Sequence, residues 1–230
     1  EEVKKENINI KLILVLALLQ TCLQYMFYYI GLSNTLGSLA AVIQASNAFI
    51  TVVISVLLIS EEKLTKRKLG ALLVGSIGIL IINLRGGGGF HFKLSGEGFV
   101  LIATTFNALS SVLIRKYGRN LNGFLLTASQ FALGATPLII IGAITHKSNV
   151  NFDFLLFVML SYGAFISATA FTIWTFVLQT HSASEFGIYK LFIPIFGTIL
   201  SILVLGEALT INIVLGLIFV LAGAIILNKK

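Results

Sequence analysis

Two stretches of the chain say nearly the same thing: "EEKLTKRKLGALLVGSIGILIIN" (Glu61–Asn83) and "GEALTINIVLGLIFVLAGAIILN" (Gly206–Asn228). In a register of 145 residues, Glu62 meets Glu207, Leu64 meets Leu209, Thr65 meets Thr210, Gly78 meets Gly223 and Asn83 meets Asn228. The first copy carries Lys63, Lys66, Arg67 and Lys68; the second carries no positive charge. Helix-start chemistry accounts for the two threonines, because a hydroxyl at an N-cap satisfies an orphan amide. It does not account for a glutamate three residues before, a glycine thirteen after and an asparagine eighteen after in both copies. A structural unit has been written twice, once basic and once bare.

The solvent of the chain explains the difference. Of 230 residues, 57% are hydrophobic and only 11% are charged, against about 25% charged in an ordinary soluble domain. Such a chain cannot clothe itself in polar surface, and the reading is an integral membrane protein. The net charge of +7 does not signal nucleic acid, because the basic residues fall in short gaps between apolar runs and form no stripe. Cys22 is the only cysteine, which excludes an internal disulfide and thiolate metal sets. The first apolar run is too long for a signal-peptide core and lacks a clean cleavage site, so it reads as a span.

Apolar segments predict helices at about Leu12–Leu32, Leu39–Ile59, Leu69–Leu84, Gly98–Ile114, Phe124–Ile144, Phe154–Leu178, Phe186–Leu205 and Ile211–Leu227. Backbone groups in lipid must bond within their own segment, and the alternation of a membrane barrel is absent, so the expectation is eight transmembrane α-helices. "SYGA" at Ser161–Ala164 is expected to kink the sixth. Eight spans put both termini on one side, together with twelve basic residues from Lys4 to Lys230; Arg85, Lys93 and Lys147 fall on the other. Basic loops stay in the cytoplasm, so both termini are predicted cytoplasmic.

The two copies lie five spans apart. An odd number of helices inverts the second copy, and the loop that faces outward loses its lysines. The pattern is that of an inverted-topology repeat. Its N-terminal part is residues 1–84 (three helices), followed by a Gly-rich external linker at 85–97 and a five-helix part at 98–230. Spans four and five then lack partners ahead of Leu12. The expectation is a ten-helix, five-plus-five fold whose first two helices are missing from this chain.

Several phrases carry a resemblance. "GEALT…LG…AGAIIL", "IPIFGTILSILVLGE" (Ile193–Glu207), "SATAFTIWTFVL" (Ser167–Leu178) and "GEGFVLIATTFNALSSVLIRKYGR" (Gly96–Arg119) resemble the EamA-type branch of the drug/metabolite transporter superfamily. The resemblance spans the chain, from the family's third helix to its tenth. It implies ten helices in two inverted halves and movement of small metabolites, amino acids or toxic compounds, usually outward across a bacterial inner membrane. The chain departs from the pattern in lacking the first two helices and in having Phe49 where the second half has Pro194.

The family motif describes a fold, so a solute site must be argued from polar groups at membrane depth, which usually face the bundle or a cavity. Gln20, Gln24 and Tyr28 share one face of the first span; Gln44, Asn47, Thr51 and Ser55 share one face of the second. Asn107 stands on the fourth span beside Thr104 and Ser111, Gln130 on the fifth, and Trp174 and Thr175 on the sixth. The seventh offers Tyr189, the repeat partner of Gln44, and Lys190, whose ammonium would attract an anionic or zwitterionic solute if it faced a wet cavity. Taken singly, such residues more often serve helix packing. No cofactor or metal site is expected. "RGGGGFHFKLSGE" (Arg85–Glu97) lacks the Gly-Lys-Ser/Thr of a phosphate loop, and the lone Asp153 excludes an aspartyl protease pair, so no enzyme is expected. The expected function is a secondary transporter working by alternating access, with a small solute and the lipid bilayer as partners and a second copy of the chain as a candidate one. The competing reading is a membrane scaffold or regulatory protein on the same fold.

Overall fold

The structure is a computed structural model that describes residues 9–59, 63, 65–82, 84–85, 89–90, 92–145, 152–180 and 192–228. Among the described residues the regular structure is helical apart from one short ladder. Its helical segments are α1 (Ile10–Leu32), α2 (Gly37–Leu58), α3 (Lys66–Ile82), α4 (Leu94–Tyr117), α5 (Gly123–Thr145), α6 (Phe154–Thr180), α7 (Phe192–Leu205) and α8 (Ile211–Asn228). Five of them, α1, α2, α4, α5 and α6, are long and apolar enough to cross a membrane. Between α3 and α4, β1 (Leu84–Arg85) pairs antiparallel with β2 (Gly89–Phe90), a two-residue ladder that takes Leu84 from the expected third helix and the rest from the expected 85–97 linker. The helix after it begins at Leu94, so the last four residues of the expected 85–97 linker belong to α4.

Helix starts follow the sequence chemistry. Asn9 accepts from Leu12 N at 3.1 Å, Asn122 from Phe124 N at 3.0 Å, and Asp153 from Leu156 N at 2.8 Å, each satisfying an orphan N–H at a helix entrance. The two repeated threonines behave alike: Thr65 Oγ1 accepts from Lys68 N at 3.2 Å, and Thr210 Oγ1 from Ile213 N at 3.3 Å. The helix runs without a break in α6 through Ser161–Ala164. The irregularities lie elsewhere. In α1, residues Ala17–Leu23 form a π-helical stretch. In α2, the helix breaks at Ala45–Ser46, where the amides of Ala45 and Ser46 tighten onto Val42 O (3.1 Å) and Ile43 O (3.0 Å).

Loop contacts mark the two ends of the bundle. At one end, the turn between α1 and α2 meets the start of α4 and the loop between α7 and α8. Thr35 Oγ1 donates to Glu97 at 2.6 Å, Lys93 Nζ donates to Asn34 Oδ1 at 2.9 Å, and Glu207 accepts from Gly37 N (2.6 Å), Ser38 N (3.0 Å) and Ser38 Oγ (2.6 Å). At the other end, Lys116 Nζ donates to Leu58 O at 2.6 Å, and Gln179 Nε2 donates to Gly118 O (2.7 Å) and Leu121 O (2.9 Å). The chain therefore runs up and down.

The tightest seam joins α3 to α8. A Cβ at Gly78 would stand 2.7 Å from Gly216 O and 2.9 Å from Val220 N; a Cβ at Gly223 would stand 2.8 Å from Ala71 O and from Gly75 N. Numbers rise along α3 as they fall along α8, so the two helices are antiparallel. In bilayers, where lipid is as apolar as leucine, such small-residue contacts are what lets backbones approach. A second core gathers Leu12, Ile13 and Leu16 of α1 with Ile114 of α4, Leu126 of α5 and Leu178 of α6. By contrast, the most apolar stretch of α6 buries no residue.

Candidate functional site

A cavity of about 510 Å³ lies between α1, α2, α4, α6 and the start of α7. The break in α2 shapes it: Gln44 ends the first half, Asn47 starts the second, and both line the cavity. From α1 come Gln24, Tyr25 and Tyr28; from α4, Ala103, Thr104 and Asn107; from α6, Ala170, Phe171 and Trp174; from α7, Ile193. None of these described lining residues is charged.

The polar wall is a chain of amides joining three helices. Asn47 Nδ2 donates to Asn107 Oδ1 at 3.0 Å and to Thr104 O at 3.2 Å; Asn107 Nδ2 donates to Gln24 Oε1 at 3.0 Å. Thr51 Oγ1 stands behind, donating to Asn47 Oδ1 at 3.4 Å. A buried polar network of this kind fixes its side chains only when its members are bonded, because an unpaired amide in low dielectric is costly. The ladder ends on Gln24, whose Nε2 makes no hydrogen bond to any described residue and so offers a donor. Nearby, the Tyr28 hydroxyl lies beside Gln44 and that of Tyr25 beside Ser167.

The other wall is aromatic. The Tyr25 ring lies 6.2 Å from that of Phe171, tilted by 45°, and Phe131 closes the cluster edge-on to Phe171 at 5.1 Å. Trp174 stands one turn further along α6. The cavity can thus hold a molecule by amide hydrogen bonds on one side and by ring faces on the other.

Of the residues singled out in the sequence, Gln24, Tyr28, Gln44, Asn47, Asn107 and Trp174 line this cavity. Thr51 is one layer behind it. Gln20 is outside the lining: it is buried in the π-helical stretch of α1, with both amide atoms unpartnered among the described residues. Gln130, fully buried on α5, is in the same condition. Thr175 pairs with Thr127 at 3.0 Å and ties α6 to α5. Tyr189, Lys190 and Glu62 lie outside the described residues. The sequence reading named Trp174 and Tyr28 but missed Tyr25 and Phe171: Tyr25 hides beside Gln24, while Phe171 at i, i+3 with Trp174 on one helix face was the available signal.

The EamA-like transporter family model matches residues 1–84 and 94–229, nearly the whole chain. This protein belongs to the EamA-like transporter family. It is 28% identical over 228 residues to an uncharacterized transporter of Clostridium kluyveri, covering 95% of this chain and 71% of that one. It is 26% identical over 219 residues to the uncharacterized transporter YvbV of Bacillus subtilis, covering 94% and 71%. A chloroplastic WAT1-related protein of Arabidopsis thaliana is 25% identical over 197 residues, covering 81% and 47%. A solved crystal structure superposes with a TM-score of 0.68 at 16% identity, covering 94% of this chain and 75% of its own; at that identity the likeness concerns the fold alone. The EamA-like chain is therefore a multi-pass membrane protein of a transporter family, a class that accords with a non-enzymatic role.

Proposed function

We propose that this EamA-like protein is a secondary transporter that moves small polar or amphipathic solutes, amino acids and their relatives among them, by alternating access. The observation that carries the reading is the cavity itself: four amides and two tyrosines from three helices face one space inside the bundle. Polar side chains at membrane depth are expensive and mark solute pathways when they converge.

The frame for such a motion is a pair of inverted halves, 1–84 and 98–230, joined by the linker. The α3–α8 seam supports it. Gly78 faces Gly216 and Val220, while Gly223 faces Ala71 and Gly75; shifting each number by 145 turns one contact into the other. A contact that maps onto itself in this way is the mark of a two-fold axis between the helices. The same axis pairs α1 with α6. Because α1 is covered by α4 and α5, two further helices of a ten-helix frame would cover the open face of α6. The eight helices, taken as spans, would then correspond to the third to tenth of that frame, with both termini in the cytoplasm of a cell bounded by the plasma (inner) membrane.

The test is flux. The purified chain in vesicles of phosphatidylethanolamine and phosphatidylglycerol should release a subset of a radiolabelled panel of amino acids and neutral amides. The double variant Asn47→Leu/Asn107→Leu, checked for intact folding, should not. If the wild-type chain shows no specific flux of any of them, the scaffold reading takes its place.

A further inference from the structure

The chemistry of the two walls narrows the solute. We propose that the cavity takes an uncharged, flat molecule with a hydrogen-bond acceptor on its edge: an aromatic or heteroaromatic amide, lactam or ketone. The inference rests on reading this cavity as the solute site, and it narrows the solutes proposed above to the uncharged ones, leaving out free amino acids.

Three features point the same way. First, the amide ladder runs in one direction. Asn47 donates to Asn107, and Asn107 donates to Gln24, so the acceptor of each amide is used by the one before it. What remains at the cavity end is the Gln24 Nε2 donor, which calls for an acceptor on the solute. Second, the opposite wall presents ring faces and edges. Tyr25 and Phe171, 6.2 Å apart and tilted by 45°, with Trp174 one turn beyond, suit a planar group held by offset or edge contacts. Third, no described residue of the lining is charged. A carboxylate entering the cavity would leave water for a wall of amides that holds no cation among the described residues, and burying a charge unpaired is costly. A cation could use the ring faces but would find the ladder's free end a donor, which repels it. A neutral acceptor satisfies the free Gln24 donor and the ring wall together.

The protein carries its own reporter, because Trp174 is the single tryptophan of the chain and lines the cavity. Quenching of its fluorescence can be followed in detergent-solubilised whole chain with four near-isosteric probes: benzamide, benzoate, benzamidine and toluene. Benzamide is expected to bind best. The carboxylate, the amidinium and the ring without an acceptor should each be weaker by about tenfold or more. The variant Gln24→Leu should weaken benzamide about tenfold and leave toluene unchanged; the probe series on the wild-type chain gives the same answer if that variant does not fold. Benzoate binding best, with Lys190→Met abolishing the preference, would overturn the proposal in favour of an anion site. Benzamidine binding best, equal binding of benzamide and toluene, or no quenching by any probe would overturn it as well. Benzamide selectivity without flux in vesicles would uphold the chemistry of the cavity and refute transport, so the two readings fail separately.

Discussion

The seam between α3 and α8 allows a prediction whose sign changes within a single helix. Replacing Gly223 by alanine sets a Cβ 2.8 Å from Ala71 O and Gly75 N and 3.1 Å from Gly75 Cα. Replacing Gly78 sets one 2.7 Å from Gly216 O. Each obstacle includes backbone, so no side chain can swing aside. Carbon contacts are comfortable at about 3.5–4.0 Å, so the helices must part by roughly 0.5–1 Å, and a gap of that size forfeits about a quarter to a half of each dispersion contact along the seam. Overpacking of this kind costs about 1–3 kcal/mol. Alanine regains about 0.5–1 kcal/mol over glycine in a helix, leaving a net loss of about 0.5–2 kcal/mol. At Gly70 on the same helix, and at Gly163 on α6, a Cβ meets nothing within 4 Å, so only the gain remains. Thermal unfolding in detergent, followed by Trp174 fluorescence, reads the difference at about 2–4 °C per kcal/mol for a chain of this size. Gly78→Ala and Gly223→Ala should lower the midpoint by similar amounts, Gly70→Ala and Gly163→Ala should raise it, and the Gly78/Gly223 double variant should cost less than the sum, because the first substitution has already opened the seam. A Gly223→Ala chain as stable as Gly70→Ala, or a strictly additive double variant, would refute the symmetric close contact.

Other expectations follow from the loops. Burial pushes the Glu207 carboxyl up, but hydrogen bonds from the Ser38 side chain and from the Ser38 and Gly37 amides outweigh it and hold the carboxyl below its ordinary range. The stability it supplies is therefore present above the unfolded value and lost as pH falls through the folded one, so wild-type midpoints should drop in the acid range below about pH 4 while Glu207→Gln, lower at neutral pH, stays flatter there. Thr65→Ala and Thr210→Ala each remove one helix-entrance hydrogen bond and should each cost about 1 kcal/mol by the same melting assay; a threefold difference between them would argue against equivalent roles. In a Cys22→Ala background, a cysteine at Lys63 should react with a membrane-impermeant maleimide only after the cells are opened, and one at Ala208 should react in intact cells. The reverse pattern refutes the proposed orientation.

Much of this fold is legible in the sequence because the bilayer permits few alternatives. Long apolar runs predict α1, α2, α4, α5 and α6 with ends shifted by a few residues, and the capping threonines behave as their positions suggest. The glycines at 78 and 223 stand out because nothing else in an apolar helix allows backbone contact. What escapes a linear reading is cooperation between distant segments. Glu207 looks like a loop residue until the left-handed Gly206 (φ 68°) turns the chain behind α7 and brings the carboxylate to the open N-terminus of α2. There its charge meets the positive end of a helix dipole as well as the orphan amides. Glu97, buried at 3% exposure, is hidden in the same way: it reaches back to Lys93 N at 2.9 Å and across to Thr35.

The site divides along the same line. Helical periodicity places Gln24, Tyr28, Gln44 and Asn47 on faces, and those faces do line the cavity. Periodicity assumes an unbroken helix, however, and α2 is not one. A search for glycine and proline leads to Pro137 and Pro194, whereas the break falls at Ala45–Ser46, between two amides. Here the polar side chains take the place of a breaker. Asn47 commits both of its N–H groups to α4, at Thr104 O and Asn107 Oδ1, and that anchorage ties the start of the second half of α2 to its neighbour. If the anchorage maintains the break, Asn47→Leu should let α2 straighten and shrink the cavity, while Asn107→Leu, which spares the bond to Thr104 O, should disturb it less. Trp174 fluorescence separates the two, because closing the cavity dries its wall and shifts the emission to shorter wavelength. Equal shifts in both variants would assign the break to packing instead of to hydrogen bonding.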